Sequence, residues 1–372
     1  MPAAIWRIIA HRATVQSFIF MKSPLFNSVC SLAILATSGV SFAQTAATVP
    51  VGVMSYSFPA TSQLTSTQIS VPLMASPVFA GKTSAVAANS VTLASSAFQA
   101  GEFAATGSPH YLRITSGAQS GRMLLILSNT ADTITVDVSD NSSQATNLTQ
   151  ANFSVAVGDS AQIVPGDTLA TFFGDNSQGN PLAFAGAASA LSADTIGIYN
   201  RISLKNDIYF YNTNLGRWVL NGSTANVGNT VILHPHSSIT ITRRSGRPAT
   251  SIAVLGEVPA IPPLTKTSGG GQVVYSSTRY PVDMTLGSLS FSNWTQSNSA
   301  LSADTVSIYN PTILKNDVYY KRLDNSWRKV GDAANDQTAT VIPAGSAIVL
   351  LKRASVANAS SFLSSPLPYN LN

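Results

Sequence analysis

The 372-residue sequence contains one cysteine, Cys30, and four histidines. A single cysteine cannot close an intrachain disulfide, and no multi-cysteine metal site can form. Charged residues make up only 10% of the chain, against about 25% in ordinary globular proteins. Glutamate occurs twice, at Glu102 and Glu257. Long solvated helices draw on Glu and Lys, so this composition excludes them. Three patterns are also missing: a G-x-S-x-G elbow, an EF-hand loop, and any run of 18 apolar residues beyond residue 43. Their absence argues against an α/β-hydrolase nucleophile, an EF-hand calcium site and a membrane-spanning helix in the mature chain. The chain is nevertheless 45% hydrophobic, which separates it from disordered sequences of low hydrophobicity and high charge.

The N-terminus reads as a secretory signal. Lys22 precedes an apolar run through Leu32-Ala-Ile-Leu-Ala36, and small residues end at Ser41-Phe42-Ala43 before Gln44. This predicts a signal peptide over 1–43 with cleavage after Ala43, and Met21 stands as a second possible start. Cleavage takes Cys30 and three of the 21 basic residues but none of the 16 acidic ones, leaving a net charge of +2. That balance gives no ground for a nucleic-acid partner. The expected location is the periplasm, cell surface or extracellular space. An outer-membrane barrel is disfavoured, because the sequence ends Pro368-Tyr-Asn-Leu-Asn372 without a terminal aromatic residue and its strands read shorter than the roughly 9–11 residues a spanning strand needs.

A repeat dominates the C-terminal half. Ala190-Leu-Ser-Ala-Asp194 returns as Ala300-Leu-Ser-Ala-Asp304, and 14 of 22 positions are identical between 190–211 and 300–321. Trp218 then matches Trp327, Ile239 and Ile241 match Ile348 and Leu350, and Arg243-Arg244 match Lys352-Arg353. Alternation inside each copy has period 2, as in Ser238-Ile-Thr-Ile-Thr242, which is the pattern of a half-buried strand. Ile208 and Val318 are expected on the buried face, with Tyr209 and Tyr319 opposite. Upstream, 111–115, 122–127 and 133–138 read as three strands of a meander. Gln68–Val71, Ser90–Leu93 and Phe153–Val157 read as further strands of the same module. The fold class expected is all-β: antiparallel β-sandwich or barrel-like modules with an internal C-terminal duplication. The expected domains are 44–165, an N-terminal β module; 166–259, the first repeat copy; 260–281, a Pro/Gly-rich linker; and 282–372, the second copy.

Tyr111-Leu-Arg-Ile-Thr-Ser-Gly-Ala-Gln-Ser-Gly-Arg122, Ile163-Val-Pro165, Thr168-Leu169, the Ala-Leu-Ser-Ala-Asp segment, Gly216-Arg-Trp218 and Gly256-Glu-Val-Pro259 carry a resemblance. From Pro50 to Pro259 the chain resembles an uncharacterised family of exported β-rich proteins from verrucomicrobial bacteria. The resemblance implies export and a β architecture, and no activity. The Thr-Ser-Gly-x-x-x-Gly-Arg hairpin is also similar to segments of bacteriophage tail and adhesin-like β proteins.

Few residues offer chemistry. His234-Pro-His236 brings two imidazoles together without a third ligand, and the second copy has Pro343-Ala-Gly345 there, so an ordinary turn is expected. Asp194 with Asp207, and Asp304 with Asp317, form recurring carboxylate pairs of the kind glycoside hydrolysis uses. Turn and strand-entry roles are the favoured reading of them, because short side chains bond the local backbone there. Asp137, Asp140, Asn141, Asp175 and Asn176 are potential calcium oxygens. Arg243-Arg-Ser-Gly-Arg247 reads as the solvated end of a strand, with a phosphate-rich surface such as lipopolysaccharide as the alternative. Tyr209, Trp218, Tyr319 and Trp327, edged by Asp207 and Asp317, form a potential stacking platform for sugar rings, with core packing as the competing reading. The function these features predict is a secreted or cell-envelope protein, non-catalytic and without a cofactor, in a structural or adhesive role. A carbohydrate-binding module that meets envelope or extracellular polysaccharide is the first alternative, and an unrecognised hydrolase the next.

Overall fold

The computed structural model describes residues 50–371 apart from 105–106, 140–146, 201, 268–270, 272 and 354–360. The predicted signal peptide, Asp140 and Asn141 lie outside the described residues. The described chain is all-β, as its period-2 patterning predicts: antiparallel sheets, one closed barrel and two brief helical turns.

Strands β1 (Val51–Phe58) and β2 (Thr65–Ile69) come first. Next are β3 (Phe79–Val86), β4 (Ser90–Leu93), β5 (His110–Ile114), β6 (Met123–Asn129), β7 (Thr133–Val136) and β8 (Ser160–Pro165), which close a barrel in the order β3-β4-β7-β6-β5-β8. Its interior is aliphatic, with Val91, Leu112, Leu124, Ile134 and Ile163 fully buried. The predicted meander is there, since β5, β6 and β7 pair in succession. Residues 153–157 are no strand; Phe153 and Val155 are buried from irregular backbone, and β8 takes the place in the barrel.

A middle module follows with β9 (Asp167–Thr168), α1 (Leu169–Phe173), β10 (Thr195–Asn200), β11 (Lys205–Asn212), β12 (Arg217–Leu220), β13 (Ser223–Val227), β14 (Ile232–Leu233), β15 (Ile239–Arg243) and β16 (Thr250–Glu257). Its main sheet runs β13-β12-β11-β10-β15-β2, and β1 pairs with β16 across the core. Gln68–Ile69 therefore belongs to this module and not to the N-terminal one. The barrel is inserted between β2 and β9, so the expected division of 44–165 from 166–259 would part β1 from β16 and β2 from β15.

The last module holds β17 (Thr265–Thr267), β18 (Val273–Ser277), β19 (Met284–Thr285), β20 (Thr305–Asn310), β21 (Lys315–Lys321), β22 (Trp327–Lys329), β23 (Val341–Ile342), β24 (Ala347–Leu351) and β25 (Ser361–Leu363). Its sheet runs β18-β24-β20-β21-β22. The stretch expected to be a linker, 260–281, supplies β17 and β18, because Val273 to Ser277 has a full partner in β24.

Pairing registers coincide in the middle and last modules. Ile196 lies opposite Tyr209 and Ile241, as Val306 lies opposite Tyr319 and Leu350. The likeness reaches beyond the repeated sequence: β2 flanks β15 as β18 flanks β24. Thr168 with Thr171 makes a capping box before α1, as Thr285 with Ser288 does before a 3₁₀ turn.

The registers also reverse the expected faces. Because Ile196 and Tyr209 are cross-strand partners, Tyr209 points inward with Ile196, and Ile208 pairs with Gly197 on the outer face. A shift of one residue in strand parity moves every side chain to the other face. Tyr319→Ala is therefore expected to cost on the order of 3 kcal/mol and Val318→Ala about 1. Urea midpoints at unchanged m-value check the order, and a costlier Val318→Ala would refute it.

Each module is fastened to the other two. Arg113 of the barrel donates to both carboxylate oxygens of Glu257 in β16, at 2.9 and 3.0 Å, and the pair is buried. Tyr111, Met74, Met123 and Val164 form an apolar cluster between the barrel and the middle module. Between the middle and last modules, Ser70 N–H donates to the Gly345 carbonyl at 2.8 Å, and the rings of Tyr199 and Tyr275 are 4.2 Å apart. Between barrel and last module, Leu264 N–H donates to the Gly121 carbonyl at 3.0 Å, and the Phe153 and Phe362 rings are 5.6 Å apart. Gly121 has φ +89°, and a Cβ there would lie 2.0 Å from the Pro262 carbonyl oxygen. This joint requires glycine.

Candidate functional site

The four aromatic rings of the expected sugar platform do not meet solvent. Trp218 and Trp327 are each 1% exposed, Tyr319 5% and Tyr209 9%. Trp218 and Tyr209 sit in the middle core, Trp327 and Tyr319 in the last. The Trp218 indole N–H donates to the Gly174 carbonyl at 2.6 Å, so its polar edge is also satisfied inside. Burial, and then the neighbouring carboxylate of Asp207 or Asp317, pushes both tyrosine phenols up. A stacking platform needs exposed ring faces. These side chains are core, and the platform assignment is corrected.

Asp207 and Asp317 stay at the strand ends. Asn200 donates to Asp207 at 3.0 Å, and Asn310 donates to Asp317 at 2.9 Å. Lys329 lies 2.8 Å from Asp317. Burial raises the Asp317 carboxyl, but the hydrogen bonds from Lys329 and Asn310 and the Lys329 charge outweigh it and hold the group below the usual carboxylate range. Leu220 occupies the Lys329 register in the middle module, opposite Tyr209.

The Ala-Leu-Ser-Ala-Asp segment is a clamp, built twice from the same bonds. Asp194 accepts from the backbone N–H groups of Ala185 (3.2 Å) and Arg244 (2.8 Å), and Asp304 from those of Thr295 (2.8 Å) and Arg353 (2.7 Å). Arg244 caps the carbonyls of Ala190 and Ala193, and Arg353 those of Ala300 and Ala303. Arg247 pairs with Asp194 at 3.0 Å, and buried Arg243 donates to the carbonyls of Pro59 and Pro248. Arg243, Arg244 and Arg247, read from the sequence as a solvated strand end with a phosphate-rich surface as the alternative, are committed to backbone carbonyls and Asp194. Neither carboxylate pair converges on an open site.

The remaining candidates are dispersed. His234 Nδ1 is 3.1 Å from the Tyr111 hydroxyl at the barrel junction, and the His234 and His236 rings are 5.5 Å apart. Asp175 accepts from Ser177 and Asn180 in a surface turn, and the Ser177 bonds hold its carboxyl below the usual range. Asp137 accepts from Ser139 in the barrel, so Asp137 and Asp175 serve separate turns. Among the described residues no three His, Cys, Asp or Glu side chains gather as a metal-binding group.

Sequence reasoning passed over an open cleft of about 770 Å³ between the barrel and the last module. Gln119 and Asn152 line its barrel side; Phe291, Ser292, Asn293 and Phe362 line the other. Phe291 stacks on Trp294 at 4.0 Å and 19° between ring planes. Ser292 and Phe362 exchange hydrogen bonds across the cleft wall. The available signal was Ser290-Phe-Ser-Asn-Trp294, an aromatic pair within small polar residues. No family model matches the chain, and no curated protein aligns with it.

Proposed function

We propose that the chain is an exported, non-catalytic β protein with a structural or adhesive role at the cell envelope or outside it. On this reading it is kin to the exported β-rich proteins it resembles, and its last two modules are copies of one unit. The observation that supports the role is the fastening of every module to both others by buried contacts. Domains joined by small polar interfaces move relative to each other. A buried Arg113–Glu257 pair, a glycine-only joint and shared apolar clusters oppose such motion, which suits a rigid load-bearing or surface-presenting body.

Mass spectrometry of native protein recovered from the cell envelope or the medium is expected to find an N-terminus at or close to Gln44. A chain that begins at Met1 or Met21 and remains in the cytosol would defeat the export on which the role depends.

A further inference from the structure

We propose that the cleft between the barrel and the last module binds a neutral oligosaccharide. The inference rests on the adhesive reading and names the ligand class that adhesion would use.

Three features of the cleft select this class. First, Phe291 and Phe362 are half-buried where they line it, and each is backed by a second ring, Trp294 at 4.0 Å and Phe153 at 5.6 Å. Supported aromatic rings suit the apolar C–H faces of pyranoses. Second, the rim carries two exposed asparagines, one from each side, both with left-handed backbone: Asn152 at φ +69° and Asn293 at φ +52°. A buried side chain pins each backbone carbonyl. Gln119 Nε2 donates to Asn152 at 3.0 Å, and Lys352 Nζ donates to Asn293. Such pinning fixes the backbone from which each side-chain amide projects and so lowers part of the ordering cost of hydrogen bonding to hydroxyls. Third, none of the lining residues is charged. A sulfated or uronic ligand would surrender hydration with no cation to pair it, whereas a neutral polyol loses nothing that serine and asparagine cannot return. The volume also lies within the range of roughly 300–1,000 Å³ usual for ligand clefts.

The middle module supplies an internal control. Ala185 and Thr295 each donate to the clamp aspartate nine residues on, which aligns Phe184 with Trp294 and Pro181-Leu-Ala183 with Phe291-Ser-Asn293. The same architecture therefore forms without Phe291 and without Asn293, so these residues are not required to build the module.

Saturation-transfer NMR on the full chain with cellotetraose, maltotetraose, chitotetraose and a sulfated heparin tetrasaccharide tests the proposal. Transfer to ring C–H protons of at least one neutral probe is expected, and none to heparin. Phe291→Ser and the double variant Asn152→Gly/Asn293→Gly should each weaken that binding at least tenfold by calorimetry. Glycine keeps the left-handed backbone without strain, so the double variant remains folded even if Phe291→Ser does not. Leu191→Ser, at an exposed position of the middle module, should bind as the parent does. Silence from all three neutral probes, binding unchanged in the asparagine double variant, or transfer to heparin equal to that of a neutral probe would overturn it. An envelope-located chain that binds none of the probes sinks this inference alone, whereas a cytosolic chain sinks the role beneath it.

Discussion

Asp304→Ala is expected to lower stability by about 3–5 kcal/mol, the range for removing one partner of a buried ion pair. Asp304 is fully buried, Lys352 is 1% exposed, and the Lys352 Nζ lies 3.5 Å from the carboxylate. Alanine would leave the ammonium buried with the Asn293 carbonyl and the Trp294 ring, 6.0 Å away, as its remaining described neighbours. It would also strip the acceptor from the Thr295 and Arg353 N–H groups. Adding Lys352→Met removes the stranded charge at similar volume, so the double variant should regain part of the loss. A double-mutant cycle on urea midpoints measures this, and additive losses would show that the pair is not coupled. The pair between Asp317 and Lys329 is the contrast. Lys329 is 35% exposed there, so Asp317→Asn should cost under about 1 kcal/mol.

Trp327→Ala should be of comparable size, about 3–5 kcal/mol, through lost burial and an unfilled cavity. The indole lies among Val306, Tyr319, Ile342 and Leu350, all of them buried. Trp327→Phe keeps most of the volume and should lose less than half as much. The sugar-platform reading predicts a different result, an unchanged urea midpoint with loss of glycan binding. Measuring midpoint and saturation transfer on the same variant separates the two. The core assignment fails if the midpoint stays within about 0.5 kcal/mol of the parent, the size of an ordinary surface substitution.

Much of the candidate chemistry was visible in sequence as residues but not as roles. Asp194 and Asp304 stood out because they recur, yet the reason is a backbone clamp whose donors lie nine residues upstream and about 50 downstream. A lone carboxylate does not reveal that its partners are amide N–H groups. Cleft residues were harder to see, since Asn152 and Asn293 come from different modules and only a shared wall brings them together.

The sequence by itself determined the all-β class, the barrel's meander and the recurrence of strand registers. Each of these rests on local physics: period-2 alternation, turn-forming Asn, Gly and Pro, and hairpins short enough to fix their own pairing. Only the tertiary structure decided which parity faces inward, that β2 completes a sheet with β15, and that 260–281 supplies strands rather than a tether. The last two of those outcomes depend on contacts between residues 70 to 78 positions apart for β18 with β24 and 170 to 178 for β2 with β15. Such contacts form only after a loop-closure cost that local patterning does not encode. Parity was ambiguous for a further reason. Ile208 and Tyr209 are both apolar enough to be buried, so only the cross-strand partner Ile196 determines which of them is.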